Sequence, residues 1–315
     1  MGSTDGSAAV RSLNEAPLSD RVRAGLRRSA AGRWWYRGRR NRMADAYVLS
    51  FPKTGRTWLR LMLGRAVAVH HGLVQAGSDD TGDGDGGVME LDRLADRVAG
   101  LPGVRFKHDD NPHFKTAGEL VLRKTEYADR PVVFLVRDPR DTAVSAYYQL
   151  AKREARYRFT GSIEQFLDHP RGSVATMLAF YNVWAEQQGA AKRFLLMRYE
   201  DLHADTAGEL RKAFEFLGLG AGRGAVSDAT VDDAVAFAKF DNMRRMEAKA
   251  ATQGDAANAR LAATDPSDVT TYKTRSGKVG DYVNHMSADA AAALTARVRD
   301  ELDPVYGYPY EPGDG

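Results

Sequence analysis

The stretch Pro52 to Trp58 (PKTGRTW) gathers residue types that suit an anion: a lysine, two threonines, an arginine and a glycine in one short turn. An apolar run, AYVLSF from Ala46 to Phe51, precedes it. A segment of helical spacing from Trp58 to His71 follows, with Leu59, Met62, Leu63, Ala66 and Val67 on one face. Backbone N–H groups at a helix N-terminus are unpaired donors at the positive end of the helix dipole, so an anion placed there is stabilised. Gly55 lets the backbone approach that anion, Lys53 adds a mobile cation, and Thr54 and Thr57 offer hydroxyls. The NTPase pattern G-x-x-x-x-G-K-[ST] is absent, because the lysine precedes the glycine. An ordinary strand-to-helix turn that happens to hold Lys and Gly is the competing reading of this stretch alone.

A second apolar run, Pro131 to Val136 (PVVFLV), delivers Arg137 at its C-terminal end, and Ser145 follows eight residues later within the next helix. Ligands of open α/β sheets sit beyond the carboxyl ends of the strands, where Arg137 and the Lys53 turn would both lie. A guanidinium fork suits a terminal phosphate; pairing of Arg137 with Asp138 or Asp141 is the plainer alternative. His108, in RFKHDD, follows a short strand candidate at Val104 to Lys107. An imidazole titrates near working pH and can serve as a general base, although a capping or surface histidine fits the local pattern equally well.

Holding these groups together requires a frame, and the chain alternates strands with helices. Strands are expected at Ala46–Phe51, Val104–Lys107, Pro131–Val136 and Phe194–Tyr199. Helices are expected at Trp58–His71, about Arg140–Arg153, Ser173–Gly189, Ala204–Leu217 (closed by Gly218) and Ala288–Leu302. The pattern predicts a single α/β domain over residues 46–315, with a central parallel sheet flanked by helices and a P-loop-like strand-loop-helix. Residues 1–45 read as an N-terminal extension, and Arg244 to Lys278 as irregular.

Across 315 residues, 45 Lys and Arg meet 42 Asp and Glu, and there is no cysteine. A disulfide framework, a thiolate zinc site and a cysteine nucleophile are therefore excluded together, and a cytoplasmic location is expected. No apolar run reaches the length of a membrane span. Nine arginines and no acid fall between Arg21 and Arg42, so the remainder is net acidic and a nucleic-acid partner is not expected. That segment, with Trp34, Trp35 and Tyr36, reads as a peripheral membrane contact, a lid over an acceptor pocket or a solvated helix packed by its aromatics. Asp79 to Glu90 nearly fits a calcium loop, but position 3 is Thr81 and position 8 is Gly86, so a plain acidic loop is favoured and no metal is assigned.

Taken in order, YVLSFPKTGRTWLRLML, VVFLVRDPRDTAVSAYYQL, RYEDL, FDNMRRME and RSGKVGDYVNHMS resemble the successive motifs of the cytosolic-type sulfotransferases. The resemblance implies transfer of a sulfuryl group from 3′-phosphoadenosine 5′-phosphosulfate (PAPS) to a hydroxyl of a small-molecule acceptor, with PAP as product. It implies that Lys53, Thr54, Gly55, Arg56 and Thr57 cradle the 5′-phosphosulfate, and that Trp58, Tyr199 and Phe240 line the adenine site. Arg137 and Ser145, with Arg275, Ser276 and Gly277, would hold the 3′-phosphate. His108 would be the catalytic base, Lys53 would stabilise the leaving phosphate, and Ser145 would hold Lys53 back until the acceptor binds.

The chain departs from the family pattern at several positions. Phe106 stands where the family has a lysine, with Lys107 one place later. Ala238 replaces a threonine of the adenine site, and Ser276 a lysine of the closing loop. The dimerisation stretch of animal members is not reproduced in Val283 to Ala292. An ATP-dependent P-loop kinase and a non-catalytic nucleotide-binding module are the alternative functions. The acceptor would be shaped by parts of Val74–Asp92, Asn111–Tyr127, Arg153–Ser162 and Met243–Lys273.

Overall fold

The structure is a computed structural model that describes residues 44–79, 87–154, 158–253 and 262–309. The Arg-rich segment 21–42 and most of the calcium-like loop, residues 80–86, lie outside the described residues. Four strands, β1 (Ala46–Ser50), β2 (Val104–Lys107), β3 (Pro131–Val136) and β4 (Arg193–Arg198), form one all-parallel sheet in the order β2-β1-β3-β4. β1 and β3 occupy the centre and are apolar almost throughout, as a strand covered on both faces must be. The chain steps from β1 to β2 on one side and then crosses to β3 on the other. The strand order therefore reverses between β1 and β3, which is where such sheets open a ligand crevice.

Numbering the helices of six residues or more, these are α1 (Arg56–His70), α2 (Pro139–Tyr148), α3 (Val174–Glu186), α4 (Tyr199–Ala204), α5 (Thr206–Phe216), α6 (Asp228–Phe237), α7 (Phe240–Gln253) and α8 (Ala288–Glu301). On one face of the sheet Val48, Val133 and Leu135 pack with Leu59, Leu63, Leu210 and Ala234 of α1, α5 and α6. The other face is aromatic: Phe134 stacks on Trp184 of α3 with ring centroids 5.3 Å apart, and Tyr47 meets Tyr127 edge-on at 5.0 Å.

Several boundaries differ from the sequence expectation. α1 begins at Arg56 rather than Trp58, because Gly55 already caps it. α2 stops at Tyr148 and passes into a wider π-helical turn, Gln149–Arg153, that points Leu150 toward the cavity described below. Tyr199 opens α4 rather than ending β4, since the ladder closes at Arg198. The expected irregular stretch is corrected at its start: Phe240–Gln253 is helical and buries Met243, Met246, Glu247 and Ala250, an i, i+3, i+4, i+7 stripe. Helix α6, capped by the Ser227 hydroxyl accepting from Thr230 N at 3.3 Å, was not expected either.

Candidate active site

The turn after β1 is built around two residues in left-handed backbone. Lys53 has φ 74° and Gly55 φ 90°, and for lysine that region is sparsely allowed. A Cβ on Gly55 would stand 2.5 Å from Cδ2 of Tyr199, so glycine is required by conformation and by close approach together. The Thr54 hydroxyl donates to the Phe51 carbonyl at 3.1 Å and the residue is fully buried. Its side chain therefore closes the turn and is not offered to a ligand, contrary to the sequence expectation. α1 has neither a side-chain cap nor an acidic residue in its first turn, which leaves the positive end of its dipole facing the crevice.

The crevice is a cavity of about 550 Å³ at the carboxyl ends of β1 and β3. Every expected site residue except Thr54 lines it: Lys53, Gly55, Arg56, Thr57 and Trp58 from the turn, His108, Arg137 and Ser145, Tyr199, Phe240, and Arg275, Ser276 and Gly277.

At one end, Tyr199 forms a platform. Its ring lies edge-on to Trp58 at 5.8 Å, the Arg137 guanidinium sits 4.3 Å above it, and its hydroxyl donates to the Gly277 carbonyl at 3.2 Å. Trp58 Nε1 donates to the Ala238 backbone carbonyl at 3.1 Å, a bond that does not need the missing threonine. Arg137 Nη2 donates to Lys278 O at 2.9 Å and to Asp141 Oδ2 at 3.3 Å. Asp141 in turn accepts from Gly280 N at 2.8 Å and Tyr282 N at 3.0 Å, tying the C-terminal loop to α2. Arg275 contacts His285 Nε2 at 3.0 Å and lies 4.6 Å over the Tyr148 ring, while the Ser276 hydroxyl bonds Asp281. The Nε atoms of Arg137 and Arg275 are buried with no hydrogen-bond partner. Two guanidinium donors left unsatisfied in one cleft fit a bound anion, because an orphaned buried donor is costly. Asp138 is taken by Arg140 at 2.7 Å, so the plainer pairing of Arg137 is made with Asp141 and not with Asp138.

At the other end stand Lys53 and His108. Lys53 makes no hydrogen bond or ion pair among the described residues; in particular none joins it to Ser145, so the restraining contact implied by the family is not made here. Burial first, then the nearby cations Arg153 and Lys273, lower its pKa to about 7. Lys273 is lowered to about 8 by burial and by Arg153. His108 Nδ1 lies 3.1 Å from the Ser50 carbonyl and Nε2 lies 2.7 Å from Arg56 Nη2. A carbonyl only accepts, so Nδ1 carries the proton and Nε2 the lone pair. Burial and the Arg56 cation hold this imidazole well below its ordinary pKa, against the opposing pull of the Ser50 carbonyl, so it is neutral. The residue after it, Asp109, accepts from Tyr127 OH at 2.6 Å and Trp184 Nε1 at 3.2 Å and pairs with Lys124 at 2.6 Å; this buried network fixes the backbone that carries the base.

Lys107 does not stand in for the family's lysine. Successive strand residues face opposite sides. Lys107 therefore pairs with Glu126 at 2.8 Å, away from the cavity, while Phe106 packs on the core under the Arg60 guanidinium at 4.5 Å. Sequence reasoning missed Lys273, Glu247 and His113. Glu247 is fully buried on α7 and accepts from the backbone N–H groups of Lys273 and Thr274 at 2.7 and 2.9 Å, which anchors the loop leading to Arg275. His113, lowered to about 4 chiefly by burial, lines the cavity beside Glu154 and Met243. Three of the four segments expected to shape the acceptor side thus reach the cavity; none of the described residues of Val74–Asp92 lines it. Among the described residues no cluster could hold a metal ion, and no helix is long and apolar enough to cross a membrane.

Comparison with known proteins assigns this arrangement to a family. Cytosolic sulfotransferase 16 of Arabidopsis thaliana is 24% identical over 284 residues, covering 83% of this chain and 77% of its own length. Sulfotransferase 2B1 of Mus musculus is 26% identical over 277 residues, covering 85% and 74%. The fold is shared with mouse sulfotransferase SULT7A1, solved in complex with PAP, at a TM-score of 0.50 and 21% identity over 82% of this chain and 84% of that one. The family described as sulfotransferase domain matches residues 43–304, which takes in the turn, the histidine and the closing loop, and the chain belongs to it.

Proposed function

We propose that the enzyme transfers a sulfuryl group from PAPS to a hydroxyl of a small-molecule acceptor, with His108 as general base. The observation that carries this reading is the histidine itself. Its tautomer is set by Ser50 O, so that the lone pair on Nε2 faces the cavity that holds Lys53 and the N-terminus of α1. When bound, PAPS supplies an activated sulfur whose bond to the 5′-phosphate oxygen is the one that breaks.

The residues divide the work. The N-terminal amides of α1 and Lys53 would receive the 5′-phosphosulfate, placing cations where charge grows on the leaving oxygen. Arg137 and Arg275, each with an unsatisfied Nε, and Ser145, whose hydroxyl has no partner among the described residues, would hold the 3′-phosphate. Tyr199, Trp58 and Phe240 would flank the base. His108 would take the acceptor's proton at Nε2, and the Asp109 network would keep the imidazole oriented.

The kinase alternative is set aside by membership of the sulfotransferase family. The non-catalytic alternative is disfavoured by a base whose tautomer is fixed and by a lysine held near its neutral form. A cytoplasmic location belongs to the same proposal and is supported by the name of the plant relative. Screening hydroxylated acceptors with sulfur-labelled PAPS tests the reading. Label transfer that His108→Ala abolishes, with PAP binding retained, is expected; no transfer to any acceptor class, together with no PAP binding, would refute it.

A further inference from the structure

Arg56 is the first residue of α1, next to the capping Gly55, and its Nη2 lies 2.7 Å from His108 Nε2. A guanidinium only donates, and Nδ1 of His108 already carries the ring's proton toward Ser50 O. Arg56 therefore donates to the one lone pair through which this imidazole can accept a proton. The charged and titratable groups that face the ring are Arg56 and Arg60 from α1 and His113 from the segment after β2, whose ring centroid is 5.6 Å away; β1 contributes the Ser50 carbonyl. The two arginines differ in placement, for Arg60 is laid on the Phe106 ring and bonds its carbonyl at 3.5 Å, whereas Arg56 lines the cavity. An acceptor hydroxyl cannot be deprotonated while Arg56 holds Nε2. The group that can draw Arg56 away is an anion on the His108 side of the α1 N-terminus, where the donor's sulfuryl group would lie beyond the 5′-phosphate that PAP also carries.

We propose that Arg56 is a positioning residue that senses the sulfuryl group: it covers the base when no donor is bound and turns onto the sulfuryl oxygens when the donor is in place. This rests on the sulfotransferase reading above and deepens it. In the transfer step the acceptor O–S bond forms and the S–O bond to the 5′-phosphate breaks. The acceptor's proton goes to His108 Nε2, and the electron pair leaves with PAP. Arg56 on the sulfuryl oxygens would uncover Nε2 and place a cation over the group being transferred. Once the product has left, a site holding only PAP has no sulfuryl group, and Arg56 returns to the imidazole. The base is thus exposed only when the donor is loaded.

The test uses the full chain with its seven histidines labelled with nitrogen-15, the His108 signals being assigned by their loss in His108→Gln. Addition of PAPS is expected to move the Nε2 resonance toward that of an unbonded acceptor, whereas PAP leaves it in place. In Arg56→Gln without ligand, His108 is expected to titrate at a higher pH than in the parent, because a neighbouring cation has been removed. The same variant should bind PAP within about threefold of the parent while binding PAPS about tenfold more weakly and turning over about 10²-fold more slowly, with Arg56→Lys intermediate. Movement of the resonance by PAP alone, or equal weakening of PAP and PAPS in Arg56→Gln, would make Arg56 an ordinary phosphate ligand and overturn the proposal. No movement with PAPS, with unchanged turnover in Arg56→Gln, would overturn it as a purely structural contact. Failure of the parent to bind either nucleotide would instead remove the sulfotransferase reading, and this proposal with it.

Discussion

Proton uptake on nucleotide binding follows from the two depressed lysines. Lys53 falls from its ordinary 10.5 to about 7 and Lys273 to about 8, in each case by burial first and neighbouring cations second. At pH 8 roughly nine-tenths of Lys53 and about half of Lys273 are therefore neutral in the unliganded protein. A phosphate placed beside them favours the ammonium form, so binding must draw protons from solvent. The phosphates of PAP, with second pKa values near 6, are fully ionised at pH 8 and contribute nothing. The expected uptake approaches about 1.4 protons, of which Lys53→Met removes about 0.9. Calorimetric titration with PAP at pH 8 in two buffers of different ionisation enthalpy measures this directly, as the slope of apparent enthalpy against buffer enthalpy. PAP affinity should fall as pH rises above 7. The linkage to stability has the opposite sign: between these folded values and 10.5 the unfolded chain binds more protons, so the lysines' contribution to stability increases with pH across that window. No uptake in the parent, or an unchanged uptake in Lys53→Met, would refute the electrostatic description of the site.

Other perturbations test separate parts. Gly55→Ala forces a left-handed residue against the Tyr199 ring, and is expected to cost about 1–3 kcal/mol in urea unfolding and at least ~10-fold in PAP affinity; unchanged binding would contradict the platform role of Tyr199. Asp141→Asn weakens the tie to Gly280 and Tyr282, and is expected to cost about 1.5–3 kcal/mol and to speed amide exchange over residues 278–282. Asp233→Ala takes the carboxylate from the buried Arg65, which it meets at 2.6 Å, leaving bonds such as those to the Gln75 and Ser78 carbonyls, and should cost about 3–5 kcal/mol while leaving PAP affinity of the folded protein unchanged.

The parts of the site that were legible in the sequence are those where a short-range pattern and a chemical need coincide. An apolar run, a Lys-Gly turn and a helical stripe specify β1, the turn and α1 within 25 residues, and PVVFLV followed by Arg137 does the same for β3. The alternation of a strand also dictates which way a side chain points, and for β2 that alternation alone puts Phe106 and Lys107 on opposite faces. α7 was missed because Glu247 interrupts an apolar stripe; its carboxylate is buried to hold a loop 26 residues away, and that purpose is invisible locally. The contacts that give the reactive end its character join distant positions. Arg56 meets His108 across 52 residues, and Lys53 shares one electrostatic environment with Arg153 and Lys273. Only the assembled sheet and the returning C-terminal loop bring them together. Thr54 shows the converse, a residue of the right type whose hydroxyl is used to close its own turn.

The central claim, a PAPS-dependent transferase, is tested most directly by calorimetric titration of PAP against ATP. Both carry adenine and a 5′-phosphate, but only PAP has the 3′-phosphate that the two unsatisfied guanidinium donors of Arg137 and Arg275 would satisfy. Two charge-assisted hydrogen bonds at about 1.5–3 kcal/mol each correspond to a preference of about 10² to 10⁴. PAP bound at least ~100-fold more tightly than ATP is the expected result; ATP bound equally well or better would contradict the account.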